Sequence, residues 1–408
     1  MQARDRSASY ALAILTFINL FNYVDRWVVA AVLEPMKKGL GLSDTQLGWL
    51  ASGFIVVYAA TSPVFGALGD RRARPPLIAL GVAIWSLATG LAGFARGFWS
   101  LFLSRSTVGV GEAAYGTIAP ALLADQFPYE KRGRVMSVFF AAIPVGSALG
   151  YVLGGFAGHH FGWRAAFWIA GFPGLLLSLL VLLVKDPPRG IHDQGHAPAR
   201  ASGTSLMSAY RDLFRNRPYL LAVLGYAMYT FALGGLGYWM PAFLVRARGM
   251  SQSESTVTFG AIVIVTGFVG TFLGGWLGDK FLARTKQSYL WVSGLATLVA
   301  APLTFIGLSS RVKPVYLAAI IAAEVLIFMC TGPINSAIVN LVSPLERATA
   351  VGLSVFVMHA LGDIPSPPLI GMLSDSSSLE RAVLIVPVAV LLSGLIWSYA
   401  AWRGERTV

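Results

Sequence analysis

The chain has 408 residues, of which 56% are hydrophobic and only 12% charged, and it carries a formal net charge of +12. So few ionisable side chains cannot cover a water-facing surface, which excludes an ordinary soluble protein. The single cysteine, Cys330, excludes a disulfide framework and a thiolate metal site.

Apolar runs long enough to cross a bilayer, about 20 residues each, fall over 10–33, 47–68, 77–95, 98–125, 134–158 and 165–184. The first of them carries Asp25 and Arg26 and lacks a small-residue cleavage site, so it reads as a retained span and not a signal peptide. A polar stretch over 185–217 follows. It opens on Asp186-Pro187-Pro188-Arg189-Gly190 and continues with Gly, Ser, His and Ala, a flexible composition. At its end Leu206, Tyr210, Leu213 and Phe214 share one helical face, which predicts a short amphipathic helix lying on the membrane surface. Six further runs occupy 218–245, 256–278, 288–308, 314–342, 348–373 and 382–402. The expected protein is an all-α membrane protein of 12 transmembrane helices in two pseudo-symmetric six-helix bundles. The bundles cover 1–184 and 218–408, and a cytoplasmic linker over 185–217 joins them.

With these spans drawn, the side that holds both termini and the linker has more than twice the Lys and Arg of the other. By the positive-inside rule that side is the cytoplasm. The excess charge is therefore topological, and no nucleic-acid partner is expected. No Asn-x-Ser/Thr sequon is present.

Two motifs repeat in one register. Gly66-Ala67-Leu68-Gly69-Asp70-Arg71-Arg72-Ala73-Arg74 after the second run is echoed by Gly275-Trp276-Leu277-Gly278-Asp279-Lys280, with Arg284 nearby, after the eighth. Pro128-Tyr129-Glu130-Lys131-Arg132 is echoed by Pro344-Leu345-Glu346-Arg347. Two repeated six-span halves are the architecture of alternating-access carriers, whose substrate site lies midway between the halves.

At these residues the chain resembles the major facilitator superfamily. Gly66-x-Leu68-x-Asp70-Arg71-x-x-Arg74 is similar to its signature loop, and Arg105-x-x-x-Gly109-x-Gly111 to its span-four motif. Within the superfamily it resembles the Spinster lipid transporters, through Asn22-Tyr23-Val24-Asp25-Arg26, Gly111-Glu112-Ala113-Ala114-Tyr115, Asp125-Gln126-Phe127-Pro128 and Gly162-Trp163-Arg164-Ala165-Ala166-Phe167. To these is added the run from His359 through Gly362-Asp363 to Ser366-Pro367-Pro368. The resemblance implies the major facilitator fold and proton-coupled or facilitated movement of a sphingoid phosphate or lysolipid. It also implies a monomer in the lipid bilayer, in the plasma (inner) membrane if the source is bacterial, with Glu324 and His359 as cavity residues.

A charge inside a span costs a few kcal/mol even on lenient scales, so each intramembrane charge is a functional candidate. Asp25 and Arg26 in the first run and Arg105 and Glu112 in the fourth lie at depths that allow one cluster of zero net charge. Burial and a neighbouring guanidinium pull a carboxylate in opposite directions, so a Glu moved between dry and Arg-paired settings can load and release a proton. Protonation of Glu112 would free Arg26 to bind a phosphate or carboxylate headgroup bidentately. Asp25 serves equally well as the titrating group, and a static ion-pair network is the structural alternative. In the second half Glu324, His359 and Asp363 are the buried ionisable set, His359 being suited to proton relay or anion contact and Asp363 to satisfying backbone amides beside its Pro-rich bend. A histidine at this position also fits a neutral ring bonded to a backbone carbonyl. Asn19, Asn22, Tyr23, Tyr58, Tyr226, Tyr229 and Asn335 are candidates to line a polar, aromatic-walled substrate cavity, or to make ordinary interhelical hydrogen bonds.

Asp70 is expected to pair with Arg134 or to accept from a helix N-terminus, holding the halves together on the cytoplasmic side. Arg71 and Arg74 are expected to brace that loop or contact lipid phosphates, and Asp279 to be the counterpart in the other half. Gly146, Gly150, Gly154 and Gly158 form a small-residue stripe, expected to pack against the other half. Gly109-Val110-Gly111 lacks the strand and final glycine of a dinucleotide loop. The adjacent His159-His160 reads as surface, so no metal and no cofactor is expected. No nucleotide-binding loop is present, nor is there a nucleophile with a base at mid-membrane, so the chain is not expected to be an enzyme. The competing readings are an exporter of another small organic anion and a non-transporting membrane sensor.

Overall fold

Pro75 and Pro76 in a first helical turn, and Ser43 three residues ahead of Gln46, are start signals that the structure uses directly. The computed structural model describes residues 2–188, 191, 206–342 and 347–406. The first half comprises α1 (Gln2–Ala31), the short α2 (Leu33–Leu40), α3 (Asp44–Arg71), α4 (Arg74–Ala92), α5 (Phe98–Gln126), α6 (Tyr129–His160) and α7 (Trp163–Val181). α2 ends at Gly41, whose φ of 64° lies in the left-handed region that glycine tolerates. α3 opens on a capping box: Ser43 Oγ accepts from the Gln46 N–H at 3.1 Å, and Gln46 Oε1 accepts from the Ser43 N–H at 3.0 Å.

The second half comprises α8 (Leu206–Arg215), α9 (Arg217–Arg248), α10 (Gln252–Phe281), α11 (Ser288–Ser309), α12 (Lys313–Phe328), α13 (Thr331–Asn340) and α14 (Arg347–Met358). A π-helical turn (His359–Asp363) then leads to α15 (Ser366–Ser376), α16 (Leu379–Ala382) and α17 (Ile385–Arg406). Among the described residues, 11 helical stretches are long and apolar enough to cross a membrane. The remaining span is α5, 29 residues long, whose Arg105, Glu112 and Asp125 interrupt its apolar run. Large apolar side chains such as Leu176, Leu183, Phe272 and Phe356 are exposed, as a lipid-facing surface requires.

Two spans differ from the continuous helices that hydropathy predicts. The tenth breaks at Met329–Cys330, between α12 and α13. Pro333 has no N–H to bond the Met329 carbonyl, so the ladder cannot run through. The eleventh widens into the π turn, where the Ile364 N–H reaches back to the His359 carbonyl at 3.1 Å. Pro365, Pro367 and Pro368 follow, and their missing donors account for the interruption.

Packing clusters the chain into two units, Met1–Ala199 with Met250–Ala261, and Arg200–Gly249 with Ile262–Val408. In the first unit a core of Leu15, Ile18, Ile78, Val82, Trp85, Tyr115, Ile118 and Phe139 is closed to solvent. The Tyr115 hydroxyl donates to the Leu15 carbonyl at 2.5 Å, so the buried phenol leaves no orphan donor. α5 wedges between two neighbours because two glycines remove its side chains. A Cβ at Gly109 would lie 2.5 Å from the Phe54 carbonyl oxygen of α3, and one at Gly111 would lie 2.3 Å from the Gly81 carbonyl oxygen of α4. The α6 glycine stripe does not pack where the sequence suggested. Gly146, Gly150, Gly154 and Gly158 meet Leu20, Val24, Ala31 and Val32, so the stripe seats α1 of the same half. It is Gly155, off the stripe, that meets Thr256 at the start of α10, and Tyr151 of α6 stacks edge-on against Phe259 with centroids 5.2 Å apart.

In the second unit the indole N–H groups of Trp239 and Trp397 donate to the Pro367 and Ala222 carbonyls at 3.1 and 2.9 Å. α8 forms as its apolar spacing predicts, with Leu213 1% exposed, but Phe214 points outward at 57%. The side chains of Leu206 and Tyr210 lie outside the described residues. Asn216 ends the linker by capping α9: its Oδ1 accepts from the Tyr219 N–H at 3.1 Å, and its Nδ2 donates to the Leu341 carbonyl at 2.8 Å.

Candidate functional site

The four intramembrane charges of the first half come together as two ion pairs. Arg105 of α5 donates from Nη1 to Asp25 Oδ1 of α1 at 2.8 Å, and Arg26 of α1 donates from Nε to Glu112 Oε2 of α5 at 2.8 Å. α1 supplies one acid and one base at adjacent positions, while α5 supplies its pair two turns apart on one face.

The two pairs are not equivalent. Asp25 is buried and both its oxygens are used, because the Thr89 hydroxyl of α4 donates to Oδ2. Glu112 is equally buried, yet its Oε1 has no hydrogen-bond partner among the described residues. The arginines differ too. Arg105 is closed off, whereas the Arg26 side chain retains 26% of its surface. The Arg26 guanidinium lies 5.0, 5.1 and 5.2 Å from the ring centroids of Tyr23, Phe54 and Tyr58, and Phe54 also lies 5.7 Å from Arg105. Aromatic faces can hold a guanidinium electrostatically without consuming its N–H donors. The arrangement is thus a cation with spare donors, one single-bonded carboxylate, and a second ion pair whose carboxylate has a donor on each oxygen.

Of the polar residues expected beside this cluster, Tyr23 and Tyr58 flank Arg26. Asn22 is buried, with an Nδ2 that has no partner among the described residues, and Asn19 donates to the Phe139 carbonyl at 2.9 Å. Thr89 and Phe54 were not anticipated. Thr89 is a buried hydroxyl in an apolar run, a signal that could have been used, whereas nothing in the local sequence marks Phe54.

In the second unit Glu324 is 3% exposed in α12. The hydroxyls of Tyr229 and Thr331 lie 3.1 Å apart, and Asn335 donates to the Thr331 carbonyl at 2.8 Å and to the Tyr226 hydroxyl at 3.4 Å. His359 and Asp363 pair across the π turn, with Nδ1 2.9 and 3.0 Å from the two carboxylate oxygens. Neither of the simpler roles holds for them: the His359 ring meets a carboxylate and not a backbone carbonyl, and Asp363 meets that ring and not backbone amides.

Among the loop motifs, Arg74 takes the bracing role of its two expected ones. It is buried, donating from Nε to Asp186 at 2.7 Å, from Nη1 to Asp125 at 2.5 Å and from Nη2 to the Pro187 carbonyl at 2.8 Å. It is thus withdrawn from lipid phosphates and ties the start of the linker to the end of α5. Arg71 is exposed, and Asp279 accepts from the Tyr289 hydroxyl at 2.9 Å. The expected Asp70–Arg134 pair and the Glu130 and Glu346 repeats involve side chains outside the described residues.

The family model for the Major Facilitator Superfamily matches residues 15–367. Protein spinster homolog 3 of Danio rerio is 36% identical, over 96% of this chain and 84% of that protein. The chain is a Spinster-family member of the major facilitator superfamily. Human protein spinster homolog 1 is 36% identical over 89% of this chain and 72% of its own length. The sphingosine-1-phosphate transporter SPNS2 of Danio rerio is 34% identical, over 97% and 84% respectively. A crystal structure of a bacterial homologue of the human lysosomal transporter Spinster, inward-facing and unoccupied, superimposes with a TM-score of 0.88, at 26% identity and 97% coverage of both chains. As a Spinster-family protein the chain is a multi-pass integral membrane transporter of a small substrate, and not an enzyme.

Proposed function

We propose that this Spinster-family protein is a proton-coupled secondary transporter working by alternating access, and that it moves an amphiphilic anion such as a lysolipid or sphingoid phosphate. The observation that carries the reading is the difference between the two buried carboxylates. Asp25 has a donor for each oxygen, Arg105 on one and Thr89 on the other. Glu112 has one oxygen bonded to Arg26 and one bonded to nothing. A dry carboxylate oxygen without a donor is costly, and a proton on Glu112 removes the charge that makes it so. Once protonated, Glu112 no longer neutralises Arg26, whose spare donors then take a phosphate or carboxylate headgroup. Proton and anion are in this way linked through one guanidinium. The relative named as a sphingosine-1-phosphate transporter supports the lipid substrate. Glu324, His359 and Asn335 are assigned to the substrate path of the second half, and Asp70, Arg71, Arg134 and Asp279 to gating.

The test is proton uptake into liposomes that hold a pH-sensitive dye, driven by a sphingoid phosphate, for wild type, Glu112→Gln and Asp25→Asn. Glu112→Gln is expected to abolish substrate-driven proton flux while leaving exchange of labelled substrate at equal pH measurable. Asp25→Asn is expected to lower both together by at least tenfold, because it leaves Arg105 buried and unpaired. Proton flux undiminished in Glu112→Gln would sink the assignment.

A further inference from the structure

We infer that Glu324 is a second proton-carrying site, in the other unit of the protein and separate from the Arg26–Glu112 pair; as a step in transport the inference rests on the proton-coupled reading above. Glu324 sits in α12 one turn before the break at Met329–Cys330, with 3% of its surface exposed. Among the described residues no hydrogen bond and no ion pair holds its carboxylate. Tyr229 of α9 is close enough to interact with it, and Cys330 follows at the break; neither is a cation. α11, which packs along α12, has only Tyr289 as a titratable side chain, at its first turn, and α10 carries none between Gly270 and Gly274, where it meets Val325 and Met329. The basic groups elsewhere in the unit interior are committed: His359 to Asp363, and Arg248 to Glu380 at 3.2 Å.

An ionised carboxylate in that setting has no cation and no donor from the protein to offset its burial, and a proton on it removes the charge that makes the site costly. The contrast with the first half is instructive. There the two intramembrane carboxylates, Asp25 and Glu112, each have a guanidinium, and the ionised form is held by pairing. Here the acid is held by the proton itself. The break in the span supplies the exit. Pro333 leaves the Met329 carbonyl without its helical donor, and the hydroxyls of Thr331, just after the break, and Tyr229 of α9 lie 3.1 Å apart. Such polar atoms at a discontinuous helix are where membrane carriers admit water or ions. When water reaches the break, Glu324 gains a medium in which its ionised form is tolerated, and the proton leaves.

Infrared spectroscopy of the protein in lipid at neutral pH reads this without reference to transport, because the C=O stretch of a protonated carboxylic acid is resolved from that of a carboxylate. Glu324→Gln is expected to remove a protonated-carboxyl band that Glu112→Gln retains, and Glu324→Asp to shift that band. A spectrum unchanged by Glu324→Gln and by Glu324→Asp overturns the inference, whatever the fate of the transport reading. In liposomes driven by a sphingoid phosphate, Glu324→Gln is expected to lower proton flux at least twofold relative to substrate movement. Flux unchanged there, with Glu112→Gln impaired, leaves Glu112 as the proton carrier and overturns the second site. No proton flux even in wild type overturns the coupled reading, while the infrared result still decides whether Glu324 holds a proton.

Discussion

Two arginines of the first unit show how one side chain type is put to opposite uses. Arg26 keeps donors free among aromatic rings, whereas Arg74 spends its guanidinium on Asp125, Asp186 and two carbonyls. A planar fork that meets several acceptors cannot be replaced by a point charge. Arg74→Gln takes a buried guanidinium away from two carboxylates and is expected to destabilise the protein by about 3 to 5 kcal/mol. Arg74→Lys keeps the charge and is expected to fall between that variant and wild type. Thermal melting of the purified variants in detergent reads the order, and a Gln variant as stable as wild type would refute the brace. The loop motif identified Arg74 but not its partners. Charges in a short loop are normally solvated, and neither Asp125 nor Asp186 lies at a spacing that betrays a meeting with residue 74. The cluster of Asp25, Arg26, Arg105 and Glu112 was legible, because intramembrane charges are few and must find one another. Which carboxylate keeps a free oxygen was not, since that depends on Thr89, three helices away along the chain.

Helices in this protein are placed by what their side chains leave out. The α6 stripe lets α1 approach until backbone meets backbone, and a Cβ at Gly146 would stand 2.5 Å from the Leu20 carbonyl oxygen. Because α1 carries Asp25 and Arg26, this seam also sets the depth at which the charge cluster forms. Gly150→Leu is expected to cost at least the 1 to 3 kcal/mol typical of an overpacked core, or about that figure if α1 shifts to accommodate it. Gly352→Ala in α14, where an added methyl meets nothing within 4 Å, is expected instead to stabilise by about 0.5 to 1 kcal/mol through helix propensity. Melting temperatures that move in the same direction for both would refute the seam. The four-residue spacing was plain in the sequence, but a stripe of small residues announces close approach without naming the neighbour. The breaks in the tenth and eleventh spans were likewise signalled by Pro333 and Pro365. Hydropathy runs through them because it measures apolar character and is blind to the missing backbone donors.

Across the whole chain the repeat that first appeared as a pair of loop motifs extends to how each half holds the segment leaving its last helix. In the first unit the loop residue Arg74 grips Asp186 after α7. In the second unit Thr285 and Trp291, on either side of the α10–α11 turn, both donate to Glu405 Oε1 near the end of α17, at 2.8 and 2.9 Å. One brace is a buried ion pair, the other an exposed carboxylate held by neutral donors, so the repeat preserves the place of the contact and not its chemistry. The topology expected from the sequence puts both loops on the side where Lys and Arg accumulate, which the charge bias would make the cytoplasm. Single substitutions can decide that assignment, because Cys330 is buried and gives little background labelling. Lys286 in the α10–α11 turn and Ser377 between α15 and α16 are both exposed and lie on opposite sides in this topology. In intact cells a membrane-impermeant maleimide is expected to label Ser377→Cys and to spare Lys286→Cys until the membrane is opened. The reverse pattern would turn the protein over in the bilayer, and with it the direction in which a proton on Glu112 runs down its gradient.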